Sequence, residues 1–229
     1  MRIAFCGASG TGKSTLAKWI VENAAELKLD GIELNPVGSR SVAKAMGFSS
    51  PYDVDKAYGP TYDDFITQKN LRPEAAAFAA LVAWEARPQG PTVRPRFQLK
   101  LQADKIAWEA DRADAGSFVT DRTPLDDLAY AVLHCREIVD AAFYERAMEH
   151  TKSYDVVFYC PLPAGQWLDN DSARVVDKTY HVLFDALLWG LLDTSWDLRA
   201  RSVYLSLPGR EAREALIRDG IDEAGRTTT

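Results

Sequence analysis

Near its start the chain reads Gly7-Ala8-Ser9-Gly10-Thr11-Gly12-Lys13-Ser14-Thr15. This is the spacing G-x-x-x-x-G-K-[ST], and its chemistry is the cradling of a polyphosphate. Gly7, Gly10 and Gly12 let the backbone curl until successive N–H groups, those of Ser9 and Thr11 among them, point inward at an anion. A helix that starts at the end of the loop adds the positive end of its dipole. Lys13 then bridges the β- and γ-phosphates, the Ser14 hydroxyl ligates Mg²⁺, and Thr15 offers a second hydroxyl beside the α-phosphate. The expected ligands are ATP and Mg²⁺. A glycine-rich turn with no ligand would have to match four fixed positions at the first strand-helix junction by accident.

A second pair of reactive residues lies in Phe118-Val119-Thr120-Asp121-Arg122-Thr123. The apolar run before Asp121 reads as a strand, and the C-terminal ends of strands in an open α/β sheet line its ligand crevice. Asp121 there can assist Mg²⁺ or accept the proton of an attacking hydroxyl, and Arg122 can hold an acceptor phosphate or a transferring one. The structural alternative is an ion pair, with Asp121 capping the helix that Pro124 opens.

The elements that must carry these residues follow from periodicity. Ile3 to Cys6 is a strand; Leu16, Ile20, Ala24 and Leu27 recur at helical spacing; Ile32 to Leu34 is a second strand, and Ser41 to Met46 a short helix. From 48 to 98 six prolines or Gly-Pro steps interrupt the pattern around a helix at Glu74 to Ala86, an insertion placed to cover a site. Leu99, Ala103, Ile106 and Ala110 mark the next helix, Ser117 to Thr120 the third strand, and Pro124 the first turn of another helix. A helix over Ile138 to His150, a strand over Tyr154 to Cys160, a helix over Asp177 to Leu192, a strand over Ser202 to Leu207 and a closing helix over Arg210 to Arg218 complete the series. Thr227 to Thr229 are expected to fray. Alternating strands and helices predict a parallel sheet with helices on both faces, and the length fits a single domain over 1–229.

The bulk numbers narrow the partners. A net charge of −6 argues against non-specific nucleic-acid binding, which comes mainly from Lys and Arg contacts to phosphates. The densest local basic material is Arg87, Arg94, Arg96 and Lys100. Cys6, Cys135 and Cys160 form no C-x-x-C pair, which predicts a reducing cytoplasm. The early glycine leaves no room for a signal peptide, and no run reaches the ~20 apolar residues of a membrane span. His134, His150 and His181 are scattered and read as packing or surface residues. Oligomeric state is not legible.

With Gly7–Thr15 and Asp121-Arg122, the chain resembles the nucleoside and nucleotide kinase group of P-loop proteins, where an Asp-Arg or Glu-Arg pair follows the third strand. Within that group it looks most like the ATP-binding domains related to nicotinamide riboside kinase, often labelled AAA-type domains. The resemblance implies a P-loop NTPase fold with five strands in the order 2-3-1-4-5. It also implies a small lid over 163–176, in which Trp167-Leu168-Asp169-Asn170-Asp171-Ser172-Ala173-Arg174 carries a D-x-x-R pattern and Arg174 closes on the γ-phosphate; Asp171 and Arg174 could equally pair on a helix surface. Leu207-Pro208-Gly209-Arg210 occupies the place where such kinases contact the adenine; a turn chosen for Pro and Gly alone is the equal alternative.

The implied activity is transfer of the γ-phosphate of MgATP, with Lys13, Asp121, Arg122 and Arg174 catalytic, to a nucleoside or nucleotide. Glu33, Arg40, Tyr52, Tyr62, Arg72, Trp84, Phe97, Gln98, Gln102 and Trp108 are the acceptor-site candidates, although large aromatics at such positions are more often core. Phage kinases of this look extend the acceptors to 5-hydroxymethyluracil in DNA, acted on in the host cytoplasm. The rival is a nucleotide-dependent switch or binding module. Against it, the guanine motif N-K-x-D is absent from the sequence, and Asp121 is followed by arginine instead of a second acid.

Overall fold

Five parallel strands form one sheet in the order β2-β3-β1-β4-β5. They are β1 (Arg2–Cys6), β2 (Glu33–Leu34), β3 (Phe118–Asp121), β4 (Val156–Tyr159) and β5 (Ser202–Tyr204). The computed structural model describes residues 1–51, 53–54, 93–112, 116–163 and 178–227. Between the strands run α1 (Lys13–Glu22), α2 (Ser39–Ala45), α3 (Val93–Ala110), α4 (Pro124–His134), α5 (Ala141–Lys152), α6 (Lys178–Asp193), α7 (Trp196–Ala200) and α8 (Arg210–Thr227). This is the α/β, P-loop kinase-like strand order that the resemblance implied.

Side-chain alternation along β1 divides the core. Ala4 and Cys6 turn to one face, where Leu125 and Leu128 of α4, Phe143 of α5 and Phe184 and Leu188 of α6 pack. Ile3 and Phe5 turn to the other, against Leu16 and Ile20 of α1 and Ile217 and Ile221 of α8. Both faces being covered explains why Ile3–Cys6 of β1 and all of β4 are unbroken apolar runs. In parallel register Phe5 lies opposite Asp121 and Cys6 opposite Tyr159. The end of β1, where the glycine loop begins, therefore sits between the ends of β3 and β4.

Several boundaries differ from expectation. Helix α3 begins at Val93 and runs through Pro95, so 93–98 are not irregular. The helix expected from Ile138 begins instead at Ala141, because the Asp140 carboxylate caps it by accepting from the Phe143 N–H at 2.7 Å; Arg136–Ile138 form a 3₁₀ turn before it. Helix α7 was not foreseen, and α8 runs nine residues beyond Arg218, to Thr227. The helix at Glu74 to Ala86, most of the 48–98 insertion and the 163–176 lid after residue 163 lie outside the described residues. Among the described residues no helix is long and apolar enough to cross a membrane.

Candidate nucleotide and acceptor site

The loop leaves β1 at Gly7 with φ 136°. A Cβ there would overlap the Cys160 carbonyl oxygen at the end of β4, so both the left-handed backbone and the close approach require glycine. The loop closes at Gly12, φ 92°, which caps α1. Lys13, 4% exposed, folds over the loop: its ammonium donates to the Ala8 carbonyl at 2.5 Å and to Thr11 Oγ1 at 3.2 Å. Burial pulls the Lys13 pKa below its usual value, and the nearby Arg122 charge adds to the effect. From the other side Arg213 of α8 donates to the Thr11 and Leu207 carbonyls at 2.8 and 3.1 Å, tying the loop to the turn after β5.

Ser14 Oγ donates to Asp121 Oδ2. Asp121 does not cap α4; that role belongs to Thr123, whose side chain accepts from the Asp126 N–H while Asp126 reaches back. The carboxylate is thereby left to the loop. A serine hydroxyl and an aspartate side by side are an oxygen pair that fits one face of a Mg²⁺ shell. Among the described residues no group of three or more His, Cys, Asp or Glu that could hold a metal ion is present.

Asp126 joins the two motifs. It is fully buried, and Oδ1 accepts from the Gly7 N–H at 3.1 Å while Oδ2 accepts from the Thr123 N–H at 2.8 Å and the Thr123 hydroxyl at 2.9 Å. Arg122 lies between, at φ 124°, a conformation a non-glycine residue holds only where its surroundings impose it. Its guanidinium sits over the Tyr130 ring at 4.9 Å and 3.8 Å from Asp126.

These groups face one cleft of about 720 Å³, within the usual range for a small-molecule site. One end is the loop, with Ser9, Gly10, Gly12, Lys13, Ser14 and Thr15, next to Asp121 and Arg122. The other is walled by Phe97, Gln98 and Leu101 of α3, Asp127, Tyr130 and His134 of α4, and Tyr180 and His181 of α6. Asp127, Tyr130 and His134 are spaced to share one face of α4. Lys105 holds Asp127 Oδ2 at 2.8 Å, both side chains being buried. Burial pushes the Asp127 carboxyl above its usual pKa, with Lys105 pulling the other way. Asp127 Oδ1 and Gln98 Oε1 have no hydrogen-bond partner among the described residues. The segment after β2 forms the side wall: buried Glu109 accepts from Asn35 Nδ2 at 2.7 Å, and Asn35 Oδ1 accepts from the Val37 N–H at 2.8 Å.

The structure thus brings Lys13, Ser14, Asp121 and Arg122 together, and Arg40, Phe97 and Gln98 reach the same cleft. Other candidates do not line it. Arg210 is exposed and pairs with Glu214 at 2.6 Å; Arg213 is the arginine of α8 that touches the loop. Glu33 pairs with Arg112, Trp108 packs edge-on against Phe118, and Gln102 is buried beneath the wall. Of the basic material, Arg94 is 4% exposed and bonded to His134 at 3.0 Å, and Lys100 pairs with Asp104 at 2.8 Å. His134 and His181, expected to be scattered helix-surface or packing residues, both line the cleft. Arg174, Tyr52, Tyr62, Arg72, Trp84 and Arg87 lie outside the described residues. Asp126 and Asp127 were missed, although Thr123-Pro124-Leu125-Asp126 has the spacing of a capping box.

Among solved structures, NadR in complex with NR is similar at a TM-score of 0.55 and 15% identity over 97% of this chain; the chain spans about half, 50%, of NadR. Deoxyadenosine kinase from M. mycoides with bound dATP is similar at 0.54 and 14% identity, covering 97% of this chain and 99% of that one. Thymidylate kinase from Ehrlichia chaffeensis is similar at 0.53 and 13% identity, covering 96% and 97%. At these identities the likeness is one of fold. No curated protein matches the sequence. The family described as AAA domain matches residues 69–201, a span that begins after the phosphate-binding loop and covers more than half of the chain. The chain belongs to this AAA domain family.

Proposed function

We propose that the protein is an ATP-dependent phosphotransferase whose acceptor is a nucleoside or nucleotide. The observation that carries this reading is a cleft with the glycine-loop residues at one part and an aromatic wall at another, holding polar atoms unmatched among the described residues. A switch that only binds and hydrolyses ATP has no use for the second end. Gln98 Oε1 and Asp127 Oδ1 are buried acceptors, and the N–H edge of a nucleobase is a matching donor. The fold shared with NadR, deoxyadenosine kinase and thymidylate kinase supports the same reading.

In this mechanism the loop amides and Lys13 hold the triphosphate. Ser14 and Asp121 fit a Mg²⁺, which when bound neutralises phosphate charge. Arg122, fixed by Tyr130 and Asp126, faces the acceptor side and stabilises charge on the transferring group. The lid role of Arg174 and the adenine contact at Leu207–Arg210 belong to the proposal as the resemblance gives them. Phosphoryl transfer asks mainly for positioning and charge stabilisation, which these groups supply.

The narrower acceptor, the hydroxymethyl group of 5-hydroxymethyluracil in DNA, rests on the resemblance. An assay with γ-labelled ATP against free nucleosides, nucleotides and hydroxymethylated DNA tests both levels. Label in any arm supports the kinase, label only in the DNA arm supports the narrower form, and ATP hydrolysis with no labelled acceptor supports the switch.

A further inference from the structure

Lys18 and Arg40 are exposed, and both line the cleft. Neither has a charged partner among the described residues; exposed Lys28, Lys44, Arg96 and Arg136 form no ion pair there either, but none of those lines the cleft. In a chain of net charge −6, two unpaired cations at one cleft are a local reversal of sign.

Lys18 and Arg40 come from two different elements, α1 and α2. Lys18 lies one turn beyond Ser14 on α1 and shares the face that Ser14 turns to Asp121. Arg40 approaches from α2, past Asn35. The triphosphate is matched already by the loop amides, Lys13 and the ion that Ser14 and Asp121 fit. The acids in the described lining are Asp121, engaged by Ser14, and Asp127, neutralised by Lys105. Lys18 and Arg40 are positive charge in the same lining beyond the groups matched to the triphosphate.

We infer that Lys18 and Arg40 form an anion subsite for a phosphate carried by the acceptor, so that the acceptor is a nucleoside monophosphate rather than a free nucleoside. This rests on the phosphotransfer reading above. The chemistry also balances without a base. A phosphate monoester loses its second proton near pH ~6, so its oxygen attacks the γ-phosphorus already deprotonated. The new P–O bond forms as the bond to the β–γ bridging oxygen breaks, the electron pair leaves on ADP, and no proton has to be removed. Asp121 can then remain with Ser14 and the metal.

The test compares wild type with the Lys18→Ala/Arg40→Ala double variant, whose side chains are exposed. Each is given ATP with the four nucleosides, their 5′-monophosphates and a hydroxymethylated oligonucleotide. The monophosphates are also titrated calorimetrically against protein carrying a non-hydrolysable ATP analogue. Expected are label in a monophosphate arm and, in the double variant, an acceptor KM raised about tenfold or more with the ATP KM moved less than about threefold, the scale of lost charge-assisted hydrogen bonds. Preferred transfer to a nucleoside or to the oligonucleotide overturns the subsite and leaves the kinase reading standing, as does an unchanged acceptor KM in the variant. If no arm is labelled, the kinase reading falls, and calorimetry decides the subsite: monophosphate binding lost in the variant upholds it, while absent or unaltered binding overturns it.

Discussion

The backbone N–H of Gly7 donates to Oδ1 of Asp126 at 3.1 Å, across 119 positions of sequence. The first residue of the phosphate loop is thereby pinned to the first turn of the helix that follows Asp121 and Arg122. The two halves of the site are held in register by a buried carboxylate that is not among the residues lining the cleft.

Asp126→Ala should therefore cost both stability and activity. It strands two backbone N–H groups and a hydroxyl inside the core, and losses of this kind run to about 3–5 kcal/mol. Chemical denaturation should show a lower midpoint, with ATP affinity falling in parallel. An unchanged midpoint would remove Asp126 from this role.

Lys13→Ala and Asp121→Asn should behave in the opposite way. Both side chains are assigned to phosphate and metal, so transfer should fall by about two orders of magnitude or more while the melting temperature moves little. Normal turnover in either variant would refute the assignment. For Asp121→Asn, raising the Mg²⁺ concentration should recover part of the loss, because the amide remains a weak oxygen ligand.

The contrast between these residues explains what was legible in the sequence. Gly7–Thr15 could be read because its requirements are local: positive φ at Gly7, Gly10 and Gly12, and a lysine and hydroxyls at the start of the helix that follows. The strand order needed the resemblance, since periodicity identifies strands without ordering them. Arg122 was recognised by its chemistry, but its φ of 124° is imposed by tertiary contacts. Lys105 and Asp127 were invisible because 22 positions separate them and a buried pair has no local signature. His134 and His181 were read as scattered because their common cleft exists only once α4 and α6 pack on the same face of the sheet.

Gly7→Ala should be the most damaging single methyl in the loop. It adds the overlap with the Cys160 carbonyl oxygen to a left-handed backbone, a strain of about 1–3 kcal/mol before the clash is counted. Nucleotide binding measured by titration should be lost even where the fold persists in circular dichroism. Retained affinity would mean that the loop can leave β4 without consequence.

Gln98→Leu should separate the two ends of the cleft. Leucine fills a similar volume but removes the polar atoms offered to an acceptor, so acceptor KM should rise about tenfold while the KM for ATP stays nearly constant. Equal effects on both constants would assign Gln98 to the fold rather than to recognition.

His134 gives a prediction in pH. Arg94 can only donate, so the Nδ1 it contacts at 3.0 Å is the acceptor nitrogen and the neutral ring carries its proton on Nε2. Burial, reinforced by the Arg94 charge, pulls the His134 pKa down from 6.5 to about 3. In the unfolded chain the ring regains its ordinary value. As pH falls below about 6.5 the unfolded state takes up a proton that the native state refuses, so stability contributed by neutral His134 is full above that pH and declines towards pH 3. His134→Gln keeps a hydrogen-bonding side chain beside Arg94 but cannot titrate. Denaturation midpoints followed from pH 8 to pH 4 should therefore fall less steeply in the variant than in the wild type, and parallel curves would show that His134 titrates normally in the folded protein.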